Sequence, residues 1–411
     1  MFTEPLSRVT HVARWVALAV LVAICSGLLS AAFIEALDWT TDTREAHDWL
    51  IYTLPLCGLI VGCSYHYLGR GLERGSNLII EEIHQHGDYI PLRLTPLIFF
   101  GSVISHLGGG STGREGAAVQ IAAGVTDPIS KRLGLNKPDR QIMLITAIAA
   151  GFGSVFGVPV TGAVFALEVQ RVGRVRYDAL VPAFVASFVG DGVVRALGVH
   201  HTLFPRIAEP QWTAMLALQI AAFGVIAGLI ALTFVRLTHS IKDVMKKYVA
   251  WYPARPVIGG VIVAALILIF GWRDYSGVSV PLALEAMRGS THGMWFVKLG
   301  LTALTLGTGF VGGEVIPLFV MGALAGASYA SIIGGNIAFF AIVGSLAVLA
   351  GAANTPLACT LLGVELFGGH GVMFFAVVCA ASYATSGHTG IYHAQRISAR
   401  KNPVLQQQEL S

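Results

Sequence analysis

Charge is scarce in this sequence. Asp, Glu, Lys and Arg make up 12% of its 411 residues, against about 25% in soluble globular chains. A chain of this length with so little charge is not an ordinary soluble domain. The net charge is only +4 and no block of like charges occurs, so nothing points to nucleic acid as a partner. Cysteine is also sparse and unpatterned. Cys25, Cys57, Cys63, Cys359 and Cys379 lie in apolar stretches without zinc or redox spacing, so they read as small buried hydrophobes and imply no disulfide framework. His84, His86 and His106 are too few and too loosely placed for a metal site, and His200-His201 fall in a loop; solvated or capping roles suit them better. No metal and no cofactor is implied.

What the sequence has instead is apolar length. Hydrophobic residues reach 55% and the mean hydropathy is +0.69, which identifies an all-α polytopic membrane protein. The first run, residues 15–37, follows Arg8 and Arg14. It is too long for a signal peptide, lacks a clear small-residue cleavage site and is followed by many more spans, so it reads as the first membrane helix. A polar turn (38–48) leads to a second run, 49–68, and then to a stretch, 70–82, too polar to span. Residues 95–106 are apolar but reach only about 18 Å as a helix, short of a hydrocarbon core of about 30 Å. Residues 143–169 are cut by Gly151, Gly153, Gly157 and Pro159 into two pieces. Short apolar pieces broken by glycine or proline are how transporters bring helix ends to mid-membrane depth. Beyond 178–197, a linker rich in His and Pro (198–211) separates two halves, 1–210 and 211–395. The second half opens with a span over 212–237 and a basic linker bearing Lys242, Lys246, Lys247 and Arg255. Further runs cover 257–272, 296–308, 316–333, 337–350, 356–367 and 372–383, and a short polar tail, 396–411, closes the chain. Arginines and lysines near both ends favour two cytoplasmic termini and an even number of crossings.

The densest signal is residues 108–120, GGGSTGREGAAVQ, where five glycines let the backbone turn sharply and approach a ligand closely. Such a loop opening a helix is an anion site, because the first N–H groups are unpaired and the helix dipole is positive there. Glu115 stands at the mouth of that site. A carboxylate there can occupy the site itself, and on protonation it can leave. Charged groups at membrane depth tend to mark ion or proton paths. The same loop carries Ser111, but without the G-x-S-x-G spacing of a hydrolase and without an obvious membrane-embedded histidine base.

An internal repeat is visible by eye. Gly113-Arg114-Glu115 matches Gly312-Gly313-Glu314, and the segment from Pro159 to Glu168 matches that from Pro356 to Glu365, with proline and glutamate nine apart in both. Glu115 to Pro159 is 44 residues and Glu314 to Pro356 is 42. Duplicated halves with broken helices place a binding site at their interface. Glu168 and Glu365 recur in the repeat and read as structural hydrogen-bonding groups. Glu314 has two readings, a helix cap or a proton-carrying group. Ser76 is an N-cap residue type.

On these motifs the chain resembles the CLC family of anion channels and proton-coupled anion antiporters over nearly its whole length. Residues 113–120 look like the family's G-(K/R)-E-G-P helix start, with Ala117 where many members have Pro. Gly75-Ser76-Asn77-Leu78-Ile79 sits at G-S-G-I-P, Gly313-Glu314-Val315-Ile316-Pro317 at G-x-F-x-P, and Gly390-Ile391-Tyr392 at the late tyrosine. The resemblance implies a CLC-type fold of two inverted-repeat halves with broken and tilted helices. It implies a homodimer with one pore per subunit, in a bacterial inner membrane. Glu115 would be the gating, proton-coupling glutamate. Ser76 and Tyr392 would flank the anion, with backbone groups near Glu314 and Val315 as further ligands. Asn77, Gly113, Arg114 and Gly116 lie in the same anion-binding motifs. The family's chloride/proton exchangers carry a second glutamate in an E-E pair, which here reads Glu168-Val169. Glu314 is acidic instead, and with Asn77-Leu78-Ile79 it resembles the fluoride/proton antiporter clade. That clade usually has Asn or Met where this chain keeps Ser76. The expectation is therefore an anion transporter, not an enzyme, exporting fluoride in exchange for protons. The alternatives are a chloride/proton antiporter or a chloride channel of the same fold.

Overall fold

The computed structural model describes residues 3–85, 87, 89–206, 211–399 and 401. The described chain is almost wholly helical. Helices α1 (Thr3–Ala46), α2 (Leu54–Leu68), α3 (Ser76–Gln85) and α4 (Leu94–Leu107) precede α5 (Glu115–Arg132), α6 (Lys137–Phe156), α7 (Pro159–Glu168) and α8 (Leu180–Ala196). The second half supplies α9 (Ala214–Tyr248), α10 (Ala254–Phe270), α11 (Val280–Met287) and α12 (Trp295–Gly307). It ends with α13 (Val315–Ile333), α14 (Ile337–Ala353), α15 (Pro356–Phe367) and α16 (Val372–Thr385). Among the described residues, five helical stretches are long and apolar enough to cross a membrane: Val9–Ala46, Asp48–Leu68, Tyr177–Ala196, Ala214–Tyr248 and Val315–Ile333. Shorter apolar helices such as α4, α7, α12 and α15 are the half-length pieces expected from the broken runs.

Several boundaries differ from the hydropathy reading. The polar turn expected at 38–48 is mostly a continuation of α1, in which the Thr40 and Thr41 hydroxyls donate back to the Leu37 carbonyl at 2.7 and 2.9 Å. Likewise α9 runs through the lysines assigned to a linker and ends only at Tyr248. Hydropathy marks where the lipid ends, and a helix has no physical reason to stop there. The polar stretch 70–82 contains the short helix α3, and α11 was not expected at all. Of the linker 198–211, residues 207–210 lie outside the described set. Two-residue strands Arg171–Val172 (β1) and Arg396–Ile397 (β2) pair in parallel, tying the start of the expected polar tail to the loop after α7.

The repeat extends down to the capping residues. Asn136 caps α6 by accepting from Asp139 N at 2.9 Å, and Asn336 caps α14 by accepting from Phe339 N at 3.0 Å. Both helices end on a left-handed residue, Gly157 (φ 72°) and Asn354 (φ 59°). Glycine adopts that conformation freely, and Asn tolerates it better than most residues. Each is followed within two residues by a proline-started helix, α7 or α15. The structure corrects the register of the repeat by one residue. Gly113 pairs with Gly313 across an antiparallel bridge, so Arg114 corresponds to Glu314 and Glu115 to Val315. The length difference between the halves falls inside one helix: α6 has 20 residues and α14 has 17.

Two reciprocal interactions lock the halves together. At the tips of the glycine loops, Gly113 N donates to Gly313 O and Gly313 N to Gly113 O, both at 2.6 Å. Near the other broken helices, Glu168 at the end of α7 accepts from Leu357 N and Ala358 N at 3.1 and 2.8 Å. Glu365 on α15 accepts from Val160 N and Thr161 N at 2.9 and 2.7 Å. Each helix end therefore caps the other's beginning, so α7 and α15 run antiparallel and the repeat is inverted. The expected structural role of both glutamates is what the structure shows. A buried ion cluster holds α3, α5 and α6 in place: Arg140 donates to both oxygens of Asp127 at 2.7 Å and to Glu82 at 3.1 Å.

Replacing Glu365 by Ala leaves two N–H groups at the start of α7 without their acceptor, at a cost of about 1–3 kcal/mol each when buried. A clear fall in the thermal midpoint in detergent is expected, with Glu365→Gln recovering part of it through its remaining carbonyl oxygen. At Gly313 an added Cβ would meet the backbone nitrogens of Gly116, Glu115 and Arg114 at 2.8, 2.9 and 3.1 Å. Overpacking of this kind costs about 1–3 kcal/mol. Gly313→Ala should lower the midpoint accordingly, whereas Gly300→Ala, with nothing within 4 Å, should leave it unchanged or raised.

Candidate anion-binding site

Three helix N-termini converge beside the Gly113–Gly313 bridge. Ser76 opens α3, Glu115 and Gly116 open α5, and Val315 opens α13; with Tyr392 they line one narrow cavity. Its volume is about 10 Å³, room for a single water-sized guest. Its remaining wall is apolar, from Phe152, Phe165 and Ile148 among others. Helix starts beside an apolar wall form an electrostatic trap for a negative charge, because their first N–H groups and the positive end of the dipole point outward.

The carboxylate of Glu115 already sits in that trap. The residue is fully buried, and its Oε2 accepts from Ile316 N of α13 and from Arg114 N, both at 3.3 Å. Its Oε1 has no hydrogen-bond partner and lies 3.5 Å from Arg114 Nε. The same Arg114 is 3.8 Å from Asp38, so its charge is shared. The contrast with the other glutamates is physical. Glu168 and Glu365 use both oxygens in bonds of 2.7 to 3.1 Å, whereas Glu115 has one oxygen in two long bonds, a much weaker hold.

Glu314 is the N-cap residue of α13, yet its side chain makes no capping hydrogen bond. Its Oε2 is buried without a partner and lies so close to Gly116 that a Cβ there would be 2.9 Å from it and 3.6 Å from Ser76 Oγ. The capping reading of Glu314 is therefore not what the geometry provides. Gly113 and Gly116 act through the room they leave, since a Cβ at Gly113 would meet Pro317 Cδ at 2.7 Å.

Ser76 is 8% exposed, and its hydroxyl donates to Gly116 O at 3.4 Å. Gln120 Nε2 donates to Gly116 O at 3.1 Å and to Ser76 Oγ at 3.4 Å. Gln120 is a site neighbour that the sequence motifs do not single out. Its amide, one helical turn beyond Gly116 in the otherwise apolar stretch 116–125, is the signal the sequence offers. Asn77 is not spare: its Oδ1 accepts from Ala394 N at 3.0 Å. That bond is one of several that place Tyr392 without a helix behind it. Ile391 N donates to Ala352 O at 2.9 Å, and Gln395 Nε2 donates to Val169 O and Ala353 O at 2.7 and 2.8 Å. The Tyr392 ring rests against the edge of Phe165 with centroids 6.5 Å apart.

A second cavity of about 100 Å³ is bounded by Ser76, Asn77, Gln120 and Glu314 and also by Glu73, Arg74 and Lys242. It links the buried groups to a basic face. The histidines singled out in the sequence lie elsewhere. His84 and His106 are buried and bonded to the carbonyls of Gln170 and Ser102 at 2.9 and 2.8 Å, not solvated, because each needs a polar partner inside an apolar bundle. His86 lies outside the described residues. Ser111 is hydrogen-bonded through its hydroxyl to Thr302 Oγ1 at 2.9 Å. Cys57, Cys359 and Cys379 are buried as expected, while Cys25 and Cys63 are only partly so.

Comparison with known proteins agrees with this architecture. The chain is 41% identical over 408 residues to the Chloride/fluoride channel protein of Pseudomonas syringae pv. tomato, covering 97% of this chain and 90% of that protein. It is 25% identical over 432 residues to an H(+)/Cl(-) exchange transporter of Vibrio cholerae, covering 96% and 91%. Among solved structures, a CLC-type fluoride/proton antiporter superimposes with a TM-score of 0.90 at 29% identity, covering 94% of this chain and 98% of that one. A slow cyanobacterial Cl-/H+ antiporter shares the fold with a TM-score of 0.79 at 18% identity, covering 97% and 98%. The family model described as voltage gated chloride channel matches residues 57–387, and with the paired glycine loops and inverted repeat already in view, this chain belongs to that CLC family of membrane anion transporters.

Proposed function

We propose that the protein exports fluoride in exchange for protons, with Glu115 as the group that couples the two fluxes. The observation that carries this reading is the lodging of Glu115 Oε2 against Ile316 N at 3.3 Å, where an anion would otherwise bind. Fluoride is small and strongly hydrated, so it needs several donors to replace its water. The N-termini of α3, α5 and α13, the Ser76 hydroxyl and the Tyr392 hydroxyl are candidates for that shell. In the cycle, a proton reaching Glu115 neutralises it, the side chain withdraws, and the anion takes its place on the helix ends. Glu314, across Gly116 with an unpartnered oxygen, receives the proton or steadies the withdrawn carboxyl. The solved fluoride/proton antiporter that matches 94% of this chain and the Pseudomonas chloride/fluoride channel protein support the choice of ion.

The same reading makes residues 1–210 and 211–395 the two repeat halves, with the tail beyond them in the cytoplasm beside the N-terminus. It makes the working unit a homodimer in a bacterial inner membrane, with a pore in each chain and no enzymatic activity. A chloride/proton exchanger is the second reading, favoured by Ser76, which the fluoride clade usually replaces.

Proteoliposomes loaded with fluoride or chloride decide between them. Fluoride efflux with proton uptake, and chloride at least tenfold slower, is the expected result on ion-selective and pH electrodes. Rapid chloride efflux would establish the second reading. Glu115→Gln, which imitates the protonated carboxyl, should pass anions with no proton flux. A proton flux at the wild-type rate would remove Glu115 from the coupling role. Glu314→Ala should slow exchange by tenfold or more while leaving the thermal midpoint near wild type, since its side chain caps nothing.

A further inference from the structure

The cavity behind Glu314 has an unusual lining. His239 on α9 and His393, the residue after Tyr392, stack with ring centroids 3.6 Å apart and planes inclined by 33°. Both line the cavity of about 100 Å³ that also holds Ser76, Asn77, Gln120 and Glu314. Neither ring makes a hydrogen bond to another described residue in the way His84 and His106 do, so capping and core packing do not explain them. Two elements distant in sequence deliver them to one place: α9 runs past the expected end of its apolar stretch, and the 390–395 loop is anchored by Asn77.

We propose that the stacked His239–His393 pair is the proton relay between the basic face of the protein and Glu314. This rests on the proton-coupled reading above and adds the route by which protons arrive. The charged and titratable groups facing the pair are Lys242, Asp243 and Lys246 of α9, Glu73 and Arg74 of the turn before α3, Glu314 at the start of α13, and Tyr65 of α2. Lysine, arginine and tyrosine ordinarily titrate far above neutral pH, and imidazole is the side chain that ordinarily exchanges protons near it. Two imidazolium rings in contact repel each other, so the pair carries one proton at a time. The step balances simply. A proton from water binds one imidazole nitrogen; the imidazolium then releases a proton through water in the cavity to the Glu314 carboxylate, leaving neutral imidazole and a carboxylic acid. The cations beside the pair draw the anion through the same mouth, so both substrates of the exchange share one vestibule. Val169, which stands where the family's chloride exchangers carry an acid, is buried and apolar and offers no competing route.

The test is paired fluoride and pH recording in proteoliposomes of the full chain, for His239→Gln, His393→Gln and the double variant across pH 5.5 to 7.5. His393 is exposed, so its single variant keeps the test open if His239→Gln folds poorly. The expected result is a proton-to-fluoride flux ratio reduced by about tenfold in the double variant, with a flattened pH profile of exchange. A wild-type ratio and profile would overturn the relay, as would parallel slowing of both fluxes with the wild-type profile, which would mean that the rings only shape the mouth. If the wild type itself moves fluoride without protons, it is the coupled reading that fails, and the two failures are told apart in the same experiment.

Discussion

A helix that begins inside a membrane-embedded protein leaves N–H groups that water cannot reach, and something negative or electron-rich must meet them. Much of the architecture is an answer to that demand. Glu168 satisfies the start of α15, Glu365 the start of α7, and Glu115 the start of α13. The first two are engaged through both oxygens at short distance and act as fixed parts. The third is held by one oxygen at 3.3 Å while the other has no bond. The same interaction is thus built tightly where it joins the halves and loosely at Glu115, the position proposed for anion competition.

The inverted repeat explains how such different uses coexist. Pairing Gly113 with Gly313 brings two helix starts within backbone contact, and only glycine permits so close an approach. Once the loops meet, Arg114 and Glu314 become equivalent positions with opposite charge. One balances the Glu115 carboxylate from beside it. The other places a second carboxyl across Gly116. At this point the halves differ in their side chains while the backbone repeats.

The lining of the cavity behind Glu314 is assembled from residues whose contacts no motif predicts. Gln120 reaches back one turn along α5, Asn77 holds the Tyr392 loop, and the ring pair of α9 and residue 393 closes the vestibule. Each depends on where two distant segments pack. A motif can name such residues without saying what they touch.

Hydropathy and motif are properties of consecutive residues, so the membrane class, the broken helices, the duplication and the glycine loop with its glutamate are legible in the sequence. It also marked Glu168 and Glu365 as structural, since their position after a proline start is repeated. It misjudged the ends of α1 and α9, because a helix continues wherever its backbone bonds do, whatever the lipid boundary. It read the repeat one residue out of register between Glu115 and Glu314, since a short match of glycines and acids tolerates a slip that a backbone bridge does not. That Glu115 rests on another helix's N-terminus, that the Glu314 side chain caps nothing and that His239 meets His393 follows from packing alone. Glu115 meets Ile316 about 200 positions away across the two halves, and His239 meets His393 about 150 positions away within the second half, separations over which no local pattern carries the geometry.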